Sequence, residues 1–207
     1  MFKNLLNSEN ALMITMAQIT DCIFLSLFWL VCSFPIITMG AANAALYDAV
    51  YHGFRKGDKH PWSRFFKTFR SSLKDSLLPQ IVYLTVFCAA GWALIRLWNA
   101  LALGNTSAVL LASGAVLIMA VLGVISVIFP TLSRFDNSTA VLLKNSTLLA
   151  LANLPRTLSL GMITGLSIFL CLRFVVPVFF LPALTALIST LLLEPMFKPY
   201  MPDTPEA

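Results

Sequence analysis

The sequence predicts an all-α membrane protein: one domain, residues 1–207, of five transmembrane helices with two cytoplasmic amphipathic connector helices. Three observations predict it. The chain is 58% hydrophobic with a mean hydropathy of +0.85, and only 11% of it is charged. A soluble domain carries about 25% charged residues, so this chain lacks the polar surface to face water. Its apolar residues gather in runs of roughly the 20 residues a helix needs to cross the hydrocarbon. Finally, seven of the 14 basic residues, Arg55, Lys56, Lys59, Arg64, Lys67, Arg70 and Lys74, crowd into one connector. Beside membrane spans such charge reports topology rather than nucleic-acid binding.

Residues 1–20 are mildly amphipathic and lie in the interface or extend the first span. That span covers about 19–38, and Pro35 near its end should kink or stop it, because a proline inside a helix removes a hydrogen bond and clashes with the preceding turn. Small residues at Gly40–Ala44 follow an apolar run, but the weak basic start, Lys3 against Glu9 and Asp21, argues against a cleaved leader. After Gly40, Ala42, Ala45, Leu46, Ala49, Val50 and Phe54 recur at helical spacing, with Asn43, Asp48, His52 and Arg55 off that face. Gly57-Asp58 makes a turn, and Pro61 suits the first position of a second helix. There Trp62, Phe65, Phe66, Phe69 and Leu73 form an aromatic stripe against a basic one of Arg64, Lys67, Arg70 and Lys74. Such a helix packs on anionic lipid or on the bundle; docking to a protein partner is the sharper alternative.

Span 2 covers about 77–97, with Arg96 beside Trp98 placed to snorkel. Gly104-Asn105 turns the chain into span 3, about 107–129, which again exits at Phe-Pro, Phe129-Pro130. Asp136-Asn137-Ser138-Thr139 offers helix-start chemistry for a second connector helix, about 140–153. From Thr157 to Leu193 the only charged residue is Arg173. As one helix that stretch would be about 55 Å long against a core of about 30 Å. It must be two spans, about 158–172 and 178–193, broken near Arg173–Pro177. Glu194-Pro195 ends the last, and 199–207 reads as a disordered tail.

With the first connector inside, eleven of the fourteen basic residues fall on the cytoplasmic side, which puts the N-terminus outside and the C-terminus inside. The two Phe-Pro exits, 95 residues apart, suggest a parallel pseudo-repeat with a fifth helix added.

Chemistry-bearing motifs are sparse. Cys22, Cys32, Cys88 and Cys171 lie in apolar runs without metal or redox spacing and read as small buried hydrophobes. His52 and His60 stand apart from any carboxylate cluster and read as solvated surface. No phosphate loop, HExxH or GxSxG occurs, so no catalytic residue, cofactor or metal is expected, and an enzyme is not. Ionisable residues inside a span carry a functional hypothesis. Asp21, Arg96 and Arg173 qualify, and Asp21 is expected to pair with one of the arginines at the outer leaflet. Asp48, Arg64, Lys67, Arg70 and Lys74 are the candidates for lipid or partner contact. Phe34, Pro35, Thr38, Gly40, Phe129 and Pro130 are the structural motif.

Phe28-Trp29-Leu30, Ser33–Ala41 and Ala44–Tyr47 resemble the opening signature of the YesL family of bacterial integral membrane proteins. Phe65–Phe69 and Phe129–Phe135 resemble its later motifs. Ala41 departs from it, where the family often has proline. The resemblance implies a protein of the bacterial plasma membrane, an accessory role beside carbohydrate ABC importers, and no catalytic residues. Asn43–Ala49 also resembles, in three residues, the coupling-helix motif Glu-Ala-Ala-x-x-Asp-Gly of importer permeases, which would aim Asp48 at an ATPase. The function expected is therefore a non-enzymatic accessory or assembly protein, with ABC importer subunits and an anionic inner leaflet as partners. A small transporter in its own right is the alternative.

Overall fold

A computed structural model describes residues 2–58, 60–104, 107–134 and 139–197. Among these residues all regular structure is helical. The expected helix start at Asp136–Ser138, Lys59, Asn105 and the tail 199–207 lie outside the described residues.

Helix α1 (Phe2–Ser33) stops where Pro35 takes an extended backbone, φ −75° and ψ 111°. A short 3₁₀ turn, Ile36–Thr38, follows. The Thr38 hydroxyl ties the break together by donating to the carbonyls of Cys32 (2.6 Å) and Pro35 (2.8 Å). Helix α2 (Met39–Val50) then widens into a π turn, Tyr51–Arg55. Gly57 reverses the chain at φ +70°, a conformation that costs glycine nothing.

Helix α3 runs unbroken over Pro61–Ala102, 42 residues or about 63 Å. A separate basic connector and span were expected here. They fuse because nothing between Lys74 and Leu77 breaks a helix, and Pro79 is absorbed within it. Helix α4 (Ala108–Arg134) likewise passes through Pro130 instead of exiting at Phe129, so the two Phe-Pro pairs are not structural equivalents. Pro130 falls in the last turns, where one lost backbone bond matters least. Helices α5 (Thr139–Ala152) and α6 (Leu154–Arg173) match expectation closely. The anticipated break holds a second 3₁₀ turn, Val176–Phe179, before α7 (Leu181–Phe197), which continues through Pro195 rather than ending at it.

Among the described residues, four helical segments are long and apolar enough to cross a membrane: Thr15–Ser33, Pro61–Ala102, Ala108–Arg134 and Leu154–Arg173. Helix α7, at the position of the expected fifth span, is a shorter apolar helix. The chain is thus a multi-pass helical membrane protein.

Helix α2 is the centre of the bundle, not an amphipathic connector on its surface. Ala41, Ala42, Ala44, Ala45 and Ala49 are wholly buried, because side chains this small let neighbours close on every face. One core gathers Leu25, Leu46, Val50, Phe65 and Ala183; the other gathers Tyr47, Val127, Ala150, Leu160 and Phe197. Helix α2 contributes to both. Behind it α4 and α6 meet at Gly123 and Gly161. A Cβ on either would collide with a backbone carbonyl of the other helix, that of Thr157 or of Met119.

Candidate functional site

The polar groups converge at the end of α2 and the start of α3. Asp48 and His52, one helical turn apart, share a face, as do Tyr47 and Tyr51. The carboxylate of Asp48, 5% exposed, accepts from Arg64 Nε at 3.0 Å and from the Thr68 hydroxyl at 2.7 Å. His52 Nδ1 lies 3.0 Å from its other oxygen. Arg64 Nη2 sits 3.1 Å from His52 Nε2. Arginine only donates, so Nε2 accepts, and Nδ1–H is left to donate to Asp48. Burial pushes the Asp48 carboxyl up. The hydrogen bonds from His52 and Thr68 and the Arg64 charge outweigh it and hold the group below the usual carboxylate range.

Arg64 also approaches Asp58 at 3.5 Å. Asp48, Asp58, His60, Arg64, Lys67 and Thr68 line a cavity of about 290 Å³. A second, of about 270 Å³, flanks Asp21, His60 and Trp62. Both sit at the N-terminal end of α3.

On the neighbouring face of α2, that of Tyr47 and about 100° round from Asp48, lies a second ionic cluster. Arg134, at the end of α4, donates to Glu194 of α7 at 2.5 Å, and Tyr47 donates to the same oxygen at 3.0 Å. The Arg134 guanidinium lies 3.6 Å from the centre of the Tyr51 ring, a cation–π contact. Burial, reinforced by the neighbouring Glu194 carboxylate, drives the Tyr47 phenol well above its ordinary pKa. It is a permanent donor. Arg55 adds a bond to the Thr190 carbonyl at 3.3 Å, so the π turn is held from both flanks. An extra residue in a helical turn is a feature enriched at functional sites. Here it holds Tyr51 and His52, the members of the two clusters that follow Val50.

Several expectations need correction. Asp48 is buried rather than a surface contact, and its carboxylate is engaged from within by Arg64, Thr68 and His52. Arg64 is turned inward, whereas Lys67, Arg70 and Lys74 are exposed. His52 is part of the inner network, not solvated surface; His60 is exposed.

Asp21 pairs with neither arginine. Its carboxylate accepts from Trp62 Nε1 at 2.8 Å, and Arg96 lies about 51 Å further along the same helix as Trp62. Arg96 stacks instead on Trp92, 5.3 Å from the ring centre. Arg173 is exposed at the end of α6, and no ion pair joins it to Asp21 among the described residues. Because a hydrogen bond joins Asp21 to Trp62, these two cannot stand on opposite sides of a core about 30 Å thick. Asp21 and the start of α3 therefore lie at the same end of the bundle, not at opposite ends as the expected outer-leaflet pairing required.

Of the structural motif, Phe34 is 90% exposed while Gly40 is buried against Phe129, so the two Phe-Pro regions touch through that pair. A Cβ on Gly40 would lie 2.5 Å from the Phe129 ring. The aromatic stripe of α3 faces the bundle at Phe65, which is fully buried, and its Trp62 packs on Phe24 at 4.9 Å.

Residues 22–94 match the family model described as "Protein of unknown function, DUF624". That stretch, about a third of the chain, takes in Asp48, His52, Arg64 and Thr68 but neither Arg134 nor Glu194. No curated protein and no solved structure matches the chain.

Proposed function

We propose that the chain is a non-enzymatic accessory or assembly protein of the bacterial plasma membrane, acting beside a carbohydrate ABC importer. The family resemblance of the opening motifs supplies the importer. The observation that carries the accessory role is where the polar groups stand. The charged side chains around α2 are engaged with one another at one end of the bundle, and α2 itself is sealed in alanine and larger apolar residues. A solute pathway asks for polar groups at mid-membrane. The basic third of α3 faces the cytoplasm in this reading by charge asymmetry, and the Asp21–Trp62 bond supports the same side for the Asp21 end of the first span.

A small transporter is the second reading, favoured by the cavity of about 290 Å³ with its mixed donors and acceptors. A photoreactive residue at Ser63, exposed on the rim of both cavities, separates the two in living cells. A discrete adduct with an importer subunit is the expected result. Absence of any protein adduct, together with sugar uptake by proteoliposomes holding the purified chain alone, would overturn the accessory reading in favour of the transporter.

A further inference from the structure

Lys67, Arg70 and Lys74 are exposed and carry no hydrogen bond or ion pair among the described residues. At 100° per residue they fall within about 60° of one another on α3. The same stripe continues upward as Leu77, Leu78 and Ile81, which are 37%, 54% and 59% exposed. The change from cationic to apolar happens between Lys74 and Leu77, three residues or about 4.5 Å of rise. An ordinary amphipathic helix changes polarity around its circumference. This stripe changes along its length, with no break in the helix.

We propose that this stripe is a binding site for one anionic phospholipid. Its headgroup phosphate lies among Lys67, Arg70 and Lys74, and its acyl chains run along Leu77, Leu78 and Ile81. Charge complementarity and the axial order of the two halves select this occupant: a soluble acidic protein would satisfy the cations but leave the apolar continuation unused. Two neighbours define the limits of the site. Arg64, one turn below, is neutralised by Asp48 and Asp58 and adds little. Asp75 is exposed beside Lys74 but about 80° round from Lys67, at the flank of the stripe. The site does not depend on the accessory reading, only on the chain being embedded in a bilayer.

The experiment uses the full chain purified in detergent, with phosphatidylglycerol or phosphatidylcholine added and retained lipid counted by native mass spectrometry. The intact protein should hold one phosphatidylglycerol in preference to phosphatidylcholine, and raised salt should erase the preference. Joint neutralisation, Lys67→Gln with Arg70→Gln and Lys74→Gln, should weaken retention about a hundredfold, since each basic residue near an anionic surface contributes about a fivefold factor. Arg173→Gln, also exposed, should not. The neutralised side chains make no internal bond, and an unchanged melting temperature would show the fold intact. Should that variant not fold, the headgroup preference and salt response of the intact chain decide the matter alone. Equal retention of both lipids, unaltered retention by a folded triple variant, or displacement by millimolar inorganic phosphate without regard to the acyl chains would overturn the proposal.

Discussion

At the residue scale, Asp48 governs the polar end of the bundle. One buried carboxylate receives a guanidinium, a hydroxyl and an imidazole, so removing it costs each of them a partner, although Arg64 keeps Asp58. Asp48→Asn keeps the shape but turns an amide N–H₂ toward donors. It should cost about 3 kcal/mol, as expected when one partner of a buried pair is lost. Arg64→Gln should cost less, about 1 kcal/mol, because the Arg64 side chain is 37% exposed and water screens its charge. Thermal unfolding in detergent measures both. The double variant should fall short of the sum, since the two groups share one network. The folded carboxyl is held below its unfolded value, so its stabilisation is complete at neutral pH. It is lost as pH falls through the folded pKa, in the region below about pH 4. Asp48→Asn should flatten that acid limb of the melting curve. A limb unchanged by the substitution would assign the acid sensitivity to other groups. Tyr47→Phe, which deletes one hydrogen bond to Glu194, should cost about 1 kcal/mol.

At the scale of elements, α4 and α6 pack backbone against backbone. Gly123 and Gly161 let the two backbones touch, the small-residue packing that stands in for the hydrophobic effect between helices in lipid. Gly161→Val should therefore force the helices apart and cost at least about 2 kcal/mol, or prevent accumulation. Gly91→Ala on α3 is the counter-case. Nothing lies within 4 Å of its Cβ position, and alanine is the better helix former, so a gain of about 0.5–1 kcal/mol is expected. The sequence showed the helices well because apolar run length and proline position are local signals. The break after Arg173 and the start at Pro61 fall where expected. It misjudged α2, because an alanine-rich helix has the same periodicity whether one face or every face is covered. It also missed Arg134 and Glu194 as a pair. They stand 60 residues apart, and the available hint was only that Glu194 is a lone acid closing an apolar run. Lys67, Arg70 and Lys74 were legible as an exposed basic face because their spacing alone defines it.

At the scale of the whole molecule, one hydrogen bond decides more than the charge count. Counting basic residues locates the connector but assumes that the first apolar run ends where the connector begins. Asp21, six residues into that candidate span, instead meets Trp62 at the start of α3. Phe28 meets Phe66 at 5.0 Å, so the first helix and the basic third of α3 run side by side in the same direction. The apolar part of α3, from Leu77 on, extends past them. Exposed residues of α1 one turn before Asp21, such as Gln18, and those on the basic stripe must then face the same compartment. Thiols introduced singly by Gln18→Cys and Lys67→Cys, both at exposed positions, in a background without the four native cysteines, test this in intact cells with an impermeant reagent. With the basic stripe at the cytoplasmic face, as proposed, both should resist labelling until the membrane is opened. If position 18 labelled from the medium while position 67 did not, α1 and α3 could not be neighbours as the Asp21–Trp62 bond requires. The arrangement of the whole polar end would then have to be rebuilt.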